Sequence, residues 1–415
     1  MRRHAAGLTR AQALRLPLLA WALVSFLTPS ALAARRRLLS DAPYDCSAHP
    51  WIDETLKHWF APAYEAARLS TMTLNESLDT IAAIKWAHPT GKSMVYLTFN
   101  KTTNLYDLSV ELLHRHNEPH KPEGMQKVIE KAVKQHNADL VRALKGRDIR
   151  FIFGTEDFPI VENHLKLRVP SFQMCANPMW YDVPVPDFTW EVYHQTRYAN
   201  TSWWDLRQLL LTKGALLPWR HRKSDLFLRG DDGVGYRKTL MPIMREIQMN
   251  RSDIALFGVH ANAHSTGYYT SSDTHFAWLD NWCHHRYLLH TSGLTYSASL
   301  KYKLACGSVV IAFENDYKEF YYPALKPGVH YLLYPEEEKV KFIKEVAPKI
   351  KEEVRRIQEE NEEEPPSMAR AAHHFALTQL TQEALSCYWY RAILAYSKLF
   401  FASTGAEVPA EVLLE

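Results

Sequence analysis

The stretch Asp225-Leu226-Phe227-Leu228-Arg229-Gly230-Asp231-Asp232-Gly233-Val234-Gly235-Tyr236-Arg237 reads as a strand running into a glycine-rich loop and then a helix start. Backbone N–H groups at such a helix end point outward and favour anions. Arg229 and Arg237 flank the loop, and arginine adds charge-assisted, often bidentate, bonds to phosphate. The glycine spacing is not the dinucleotide fingerprint, and a plain connecting loop fits the same letters. Asp231 and Asp232 also carry two readings. They hold a divalent ion bridged to phosphates, or one caps the helix while the other faces water.

Downstream of this unit, strands are expected over residues 253–258, 286–290 and 308–313, with helices over 237–249 and 297–305. Upstream lies a similar alternation: short helices over 44–90, a strand over 94–99, an amphipathic helix over 125–144 and a strand over 149–154. Two α/β halves follow, and alternating strands and helices favour parallel sheets with covered faces. Residues 178–204 are rich in Pro, Tyr and Trp with little periodicity, which predicts a loop-rich connection between the halves. Residues 336–364 are highly charged and helical, and the acidic run at 359–364 before Pro365-Pro366 predicts a solvated helix end and linker. A last amphipathic pair of helices over 368–401 is free to pack back on either half.

Candidate chemistry gathers at strand ends, where ligands collect in open α/β sheets. The strand 149–154 ends in Thr155-Glu156-Asp157-Phe158-Pro159, and Pro159 holds the chain in a turn. A carboxylate fixed there can take the proton of an attacking hydroxyl, a contribution of about 10²–10⁴ in rate; a turn aspartate capping a backbone N–H fits as well. The segment Gly293-Leu294-Thr295-Tyr296-Ser297-Ala298-Ser299-Leu300-Lys301-Tyr302 follows another strand end and is rich in hydroxyls. Phosphate or ribose contacts and ordinary helix capping both fit it. The histidine-rich pieces at His260, His264, His284-His285 and His373-His374 lack paired metal-ligand spacing.

Composition narrows the classes. The 415 residues leave room for two domains and a sizeable core, with 47% hydrophobic residues and twelve Trp. A formal charge of +3, with Lys and Arg spread along the chain, argues against a nucleic-acid partner. Arg2, Arg3, Arg10 and Arg15 precede an apolar run over 16–27, and Ala31-Leu32-Ala33 offers a small-x-small cleavage site. Residues 1–34 are therefore a signal peptide or an uncleaved signal anchor. Sequons begin at Asn75, Asn100, Asn200 and Asn250, which suits the secretory route. Five cysteines without a C-x-x-C pair argue against zinc and leave room for two disulfides and one spare thiol.

At these same segments the chain resembles glycosyltransferase family 90, which includes protein O-glucosyltransferases and capsule-associated xylosyltransferases. The matching text is Thr155 to Pro159, Trp204-Asp205-Leu206, and Pro218-Trp219 leading to Phe227-Leu228-Arg229-Gly230. It goes on through Cys283 before Tyr287-Leu288-Leu289, Ser299-Leu300-Lys301-Tyr302 to Cys306-Gly307-Ser308, and Glu319-Phe320-Tyr321-Tyr322-Pro323 to Tyr331. The resemblance implies an α/β, GT-B-like fold: two Rossmann-like domains facing across a cleft, an acceptor-side domain over 45–200, a nucleotide-sugar domain over 201–365, and C-terminal helices over 366–405 packing back. It implies an inverting, metal-independent transfer of glucose or xylose from a UDP-sugar to a hydroxyl on a protein or glycan, with Asp157 as base. Donor contacts would fall at Arg229, Asp231, Arg237, Leu294, Thr295, Tyr296, Ser297, Ala298, Ser299 and Lys301. Disulfides would join Cys283 to Cys306 and Cys46 to Cys387, leaving Cys175 over.

The implied setting is the ER or Golgi lumen, with secretion open and membrane contact only through an N-terminal anchor. There are departures. Protein O-glucosyltransferases carry Arg where Ser299 stands, so one phosphate bond is missing unless Lys301 supplies a point charge instead. Asp231 replaces a hydroxyl residue. Ser299 followed by Leu-Lys-Tyr looks like the family's plant-type branch. A non-catalytic secreted protein that binds glycans or nucleotide sugars is the alternative these departures leave standing.

Overall fold

The computed structural model describes residues 44–85, 91–114, 118–192, 202–231, 234–250, 257–262, 279–358 and 361–404. The expected signal segment, the sequon at Asn200 and the acidic pair's second member Asp232 lie outside them, as does His264. Among the described residues, no helix is long and apolar enough to cross a membrane.

The first half opens with α1 (Trp51–Leu69), whose Ile52, Leu56, Phe60 and Ala63 recur at helical spacing and are buried. Helix α2 (Leu74–Ala83) starts on a capping box, Thr73 accepting from the Glu76 N–H while the Glu76 carboxylate accepts from the Thr73 N–H. Strands β1 (Lys92–Asn100), β2 (Leu105–Leu112), β3 (Ile149–Gly154), β4 (Phe172–Gln173) and β5 (Val183–Pro184) form one sheet in the order β2-β1-β3-β4-β5. It is mixed. Strand β1 runs antiparallel to both β2 and β3, and only β3, β4 and β5 are parallel. The expectation of parallel sheets thus fails in this half, because the four residues between β1 and β2 close a hairpin, with Asn104 at φ 53°. The helix expected over 125–144 is two helices, α3 (His120–Gln135) and α4 (Asn137–Leu144), broken at His136.

The second half holds β6 (Lys223–Asp231), β7 (Phe257–Asn262), β8 (His285–His290), β9 (Val309–Phe313) and β10 (Leu332–Tyr334), preceded by α5 (Trp203–Leu216). Every pairing is parallel, and the order is β10-β9-β8-β6-β7. Numbered within this half, that is the 2-1-3-4-5 doubly wound order, whose switch point lies between β6 and β8. Helix α6 (Arg237–Asn250) returns from β6 and buries Leu240, Met241 and Met244 against Leu226, Leu228, Tyr287 and Leu289. The helix expected from residue 297 begins later, as α7 (Leu300–Ala305), so Ser297 and Ser299 stay in the loop before it. After β10 the chain winds through short irregular turns into α8 (Ile350–Gln358), where Ile350 and Val354 join the same core.

The final pair divides its packing. Helix α9 (Ser367–Thr378) lies on α7, α5 and β9 of the second half, whereas α10 (Gln382–Ser403) lies on α1, α3 and α4 of the first. Trp389 of α10 meets Phe151 of β3 and Phe172 of β4 ring to ring. Cys46 is joined to Cys387 and Cys283 to Cys306, as the resemblance implied, and Cys175 is a buried free thiol.

Candidate functional site

Strand β6 ends at Asp231, and α6 begins at Arg237. Arg229, near the end of β6, is buried. The Arg237 Nε–H donates to the Ser292 carbonyl at 3.1 Å, in the loop after β8. Two glycines make room for this side chain. A Cβ at Gly230 would stand 2.4 Å from Arg237 Nη1, and one at Gly293 would stand 3.1 Å from Nη2. Gly235 adopts φ +54°, where a Cβ would lie 2.0 Å from the Gly293 carbonyl oxygen, so only glycine lets the two loops touch. Arg237 therefore sits at the switch point, between the tips of β6 and β8.

The loop after β8 carries the predicted donor segment. The Gly293 N–H donates to the Tyr296 carbonyl at 2.9 Å, curling the segment into a turn. Leu294 is exposed at the crest, Ser297 and Ala298 are half-buried, and Thr295, Tyr296 and Ser299 are buried. The Ser297 and Ser299 hydroxyls are 2.9 Å apart. Behind Ser299, the Lys303 ammonium donates to its Oγ at 3.1 Å and lies 3.3 Å from His290 Nδ1. Burial, with Arg237 second, pushes the Lys303 pKa well below its ordinary value. His290 Nε2 in turn lies 3.1 Å from the Tyr322 hydroxyl.

Asp157 follows β3 and comes up beside this segment. The Thr295 hydroxyl donates to the Asp157 carbonyl at 2.7 Å, and the Cys175 thiol donates to the same oxygen at 3.2 Å. The Asp157 side chain is 44% exposed, with its carboxylate 3.8 Å from the Lys121 ammonium. Desolvation by the crowded surroundings raises its pKa, Lys121 pulls it back, and Glu118 and Asp187 add to the rise. Water at the open face moderates all four effects. The backbone carbonyl of a strand-end aspartate thus accepts a hydrogen bond from a hydroxyl-rich turn of the other half.

Lys301 points elsewhere. Its ammonium is fully buried, donates to Thr189 Oγ1 at 2.6 Å and to the Ala298 carbonyl at 3.2 Å, and lies 4.7 Å over the Trp190 ring. The cation that meets Ser299 is Lys303, one helical turn on, which the sequence reading missed. The available signal was its i, i+4 spacing from Ser299. The 3₁₀ turn Phe188–Trp190 that receives Lys301 is capped by Asp187, whose carboxylate also accepts from the buried Tyr296 hydroxyl at 2.7 Å. Glu319, nearby and accepting from Tyr321, has its pKa raised by burial to about 8.

Among the described residues, one set of potential metal ligands comes together, Cys46, His136 and Cys387, and both sulfurs are committed to the disulfide. His285 is held by Asp225 at 2.7 Å, and His373 sits 2.9 Å from the Ala305 carbonyl.

The fold is α/β, and the residues expected to contact a donor gather at a strand switch point of the second sheet. The chain belongs to glycosyl transferase family 90, whose profile matches residues 124–412. Over 262 residues it is 25% identical to protein O-glucosyltransferase 1 of Mus musculus and 24% identical to that of Homo sapiens, covering 60% of this chain and 62% of each relative. It is 24% identical over 267 residues to the O-glucosyltransferase rumi of Drosophila melanogaster, covering 61% of each. These matches span less than two thirds of the relatives' own length.

Proposed function

We propose that the protein transfers a sugar from a UDP-sugar donor to an acceptor hydroxyl, with inversion at the anomeric carbon and no metal ion. Asp157 is the base. It takes the acceptor proton as the hydroxyl attacks in line and UDP leaves from the opposite face. The observation that carries this reading is the 2.7 Å bond from Thr295 to the Asp157 carbonyl, which keeps the carboxylate beside the segment assigned to the donor.

On this reading UDP lies at the switch point between β6 and β8. Arg229, Arg237 and the helix-start N–H groups absorb charge as the diphosphate departs. Asp231 borders the nucleotide, Leu294 to Ser299 wrap the donor, Lys303 supports Ser299, and Lys301 anchors the segment from beneath. The two α/β halves act as the lobes of a GT-B-like enzyme, the first presenting the acceptor and the second the donor. The relatives' names support glucose on a protein; xylose or a glycan acceptor suits the plant-type text around Ser299 equally. An N-terminal signal and the two disulfides suit the lumen of the secretory pathway, with N-glycans at Asn75, Asn100 or Asn250.

The test is release of UDP from UDP-glucose and UDP-xylose, with water serving as acceptor until a better one is found. Asp157→Asn is expected to lower turnover by about 10²–10⁴-fold while calorimetric UDP binding stays unchanged. Undiminished turnover in that variant would remove the base. Donor binding by the unaltered protein without any turnover would favour a glycan- or nucleotide-sugar-binding role instead, and EDTA in the same assay decides whether a cation takes part.

A further inference from the structure

The first turn of α3 carries a cation that the proposed chemistry does not yet use. Lys121 is only 17% exposed along its side chain, and its ammonium lies 3.4 Å from a Glu118 carboxylate oxygen, 3.8 Å from Asp157 Oδ1 and 5.6 Å over the Phe188 ring. Two carboxylates and an aromatic ring thus fix a side chain that would otherwise sweep freely. Its helix is brought close by Gly124, where an added Cβ would stand 2.8 Å from Phe188 Cβ. The Phe188 turn is the same one that receives Lys301 and, through Asp187, Tyr296 of the donor segment. One turn of chain therefore registers α3 against both the proposed base and the proposed donor site.

We infer that Lys121 is a positioning residue for the proposed transfer, its ammonium orienting the Asp157 carboxylate and holding it in the charged form that can accept a proton. The inference rests on the reading of Asp157 as base. The groups facing that carboxylate are Lys121 and Glu118 beside α3, with His120 paired to Glu118, Asp187 from the 3₁₀ turn, the Cys175 thiol, and Tyr296 from the donor segment. Among the described residues that act on Asp157, Lys121 is the one that favours its charged form, opposing Glu118 and Asp187. An ammonium within about 4–6 Å favours the charged carboxylate by about one pH unit or more. A base works above its own pKa, so Lys121 extends activity toward acid.

The experiment is the pH profile of kcat/KM for UDP release from whichever of UDP-glucose and UDP-xylose the protein turns over faster, measured on the full chain with wild type, Lys121→Met, Lys121→Arg and Asp157→Asn. The acid limb of Lys121→Met should move up by about one pH unit, with kcat rather than donor KM carrying the loss. Lys121→Arg should return the limb to within a few tenths of a unit. If Lys121→Met does not fold, Lys121→Gln, which keeps a polar donor without the charge, takes its place. An acid limb that stays put in the uncharged variant while Asp157→Asn is inactive overturns the inference and leaves the base intact. Full turnover in Asp157→Asn overturns both.

Discussion

Lys301 and Lys303 stand two residues apart on one short helix, both buried, in opposite electrostatic situations. Lys301 faces the first half of the molecule and has Asp187 and Glu319 in its field, both favouring its charged form against the cost of burial. Lys303 faces β8, where its partners are the Ser299 hydroxyl and the His290 ring, and Arg237 adds repulsion. Among the described residues no carboxylate pairs with it. A buried cation with acids around it is a fastening between halves; one with only neutral partners is stable when an anion arrives. The same residue type thus serves structure on one helix face and, on the proposed reading, ligand on the other.

The comparison breaks first on stability. Lys301→Met removes the ammonium that donates to Thr189 Oγ1 and the Ala298 carbonyl, and leaving buried partners unsatisfied costs about 1–3 kcal/mol. Denaturant unfolding near neutral pH should place the variant within that range, since Glu319 already holds its proton there. An unchanged midpoint in this variant would deny Lys301 its structural role.

A pH-dependent effect follows from Glu319 itself. Its folded pKa of about 8 lies above the ordinary 4.5, so the folded protein holds a proton that the unfolded chain has released. Stability should be greatest below about pH 4.5 as far as this group is concerned, decline as pH rises toward 8, and level off beyond. Thermal unfolding of wild type across that window should show the decline, and Glu319→Gln should flatten it.

The least change in fold is expected from Lys303→Met, which removes a cation that lacks an acid. Its unfolding midpoint should hold while calorimetric UDP affinity falls by about tenfold, as for loss of a charge-assisted contact. Wild type should take up a proton on binding UDP, since a nearby diphosphate restores the lysine's depressed pKa, and the binding enthalpy should then depend on the buffer. Equal affinity in both proteins would make the two lysines alike.

The second sheet was largely legible in the sequence because its strands are short apolar runs closed by glycine or hydroxyl-rich turns. Residues 225–229, 286–290 and 308–313 all fell in strands or at their edges, whereas most of the strand expected over 253–258 lies outside the described residues. The first sheet was harder. Strand β2 alternates Tyr106, Leu108, Val110 and Leu112 with Asp107, Ser109 and Glu111, a period-two signal that was there to be read. Strands β4 and β5 have two residues each and leave no periodic trace. The place of Asp157 just past a strand end was legible from an apolar run followed by a turn. Lys121 was not, since 36 positions separate it from Asp157 and only the close approach at Gly124 brings them together. The direction of Lys301 was likewise hidden, because the helix starts three residues later than the letters suggest and so turns its faces.

The bond between Cys46 and Cys387 ties the start of the described chain to its last helix across 341 positions of sequence. That makes nearly the whole molecule a single covalent ring. A protease that cuts one surface loop between the two cysteines opens the ring without releasing either piece, so the damaged molecule keeps its mass and both halves of its site. In a compartment exposed to proteolysis, one accident is then survivable and only the second is fatal.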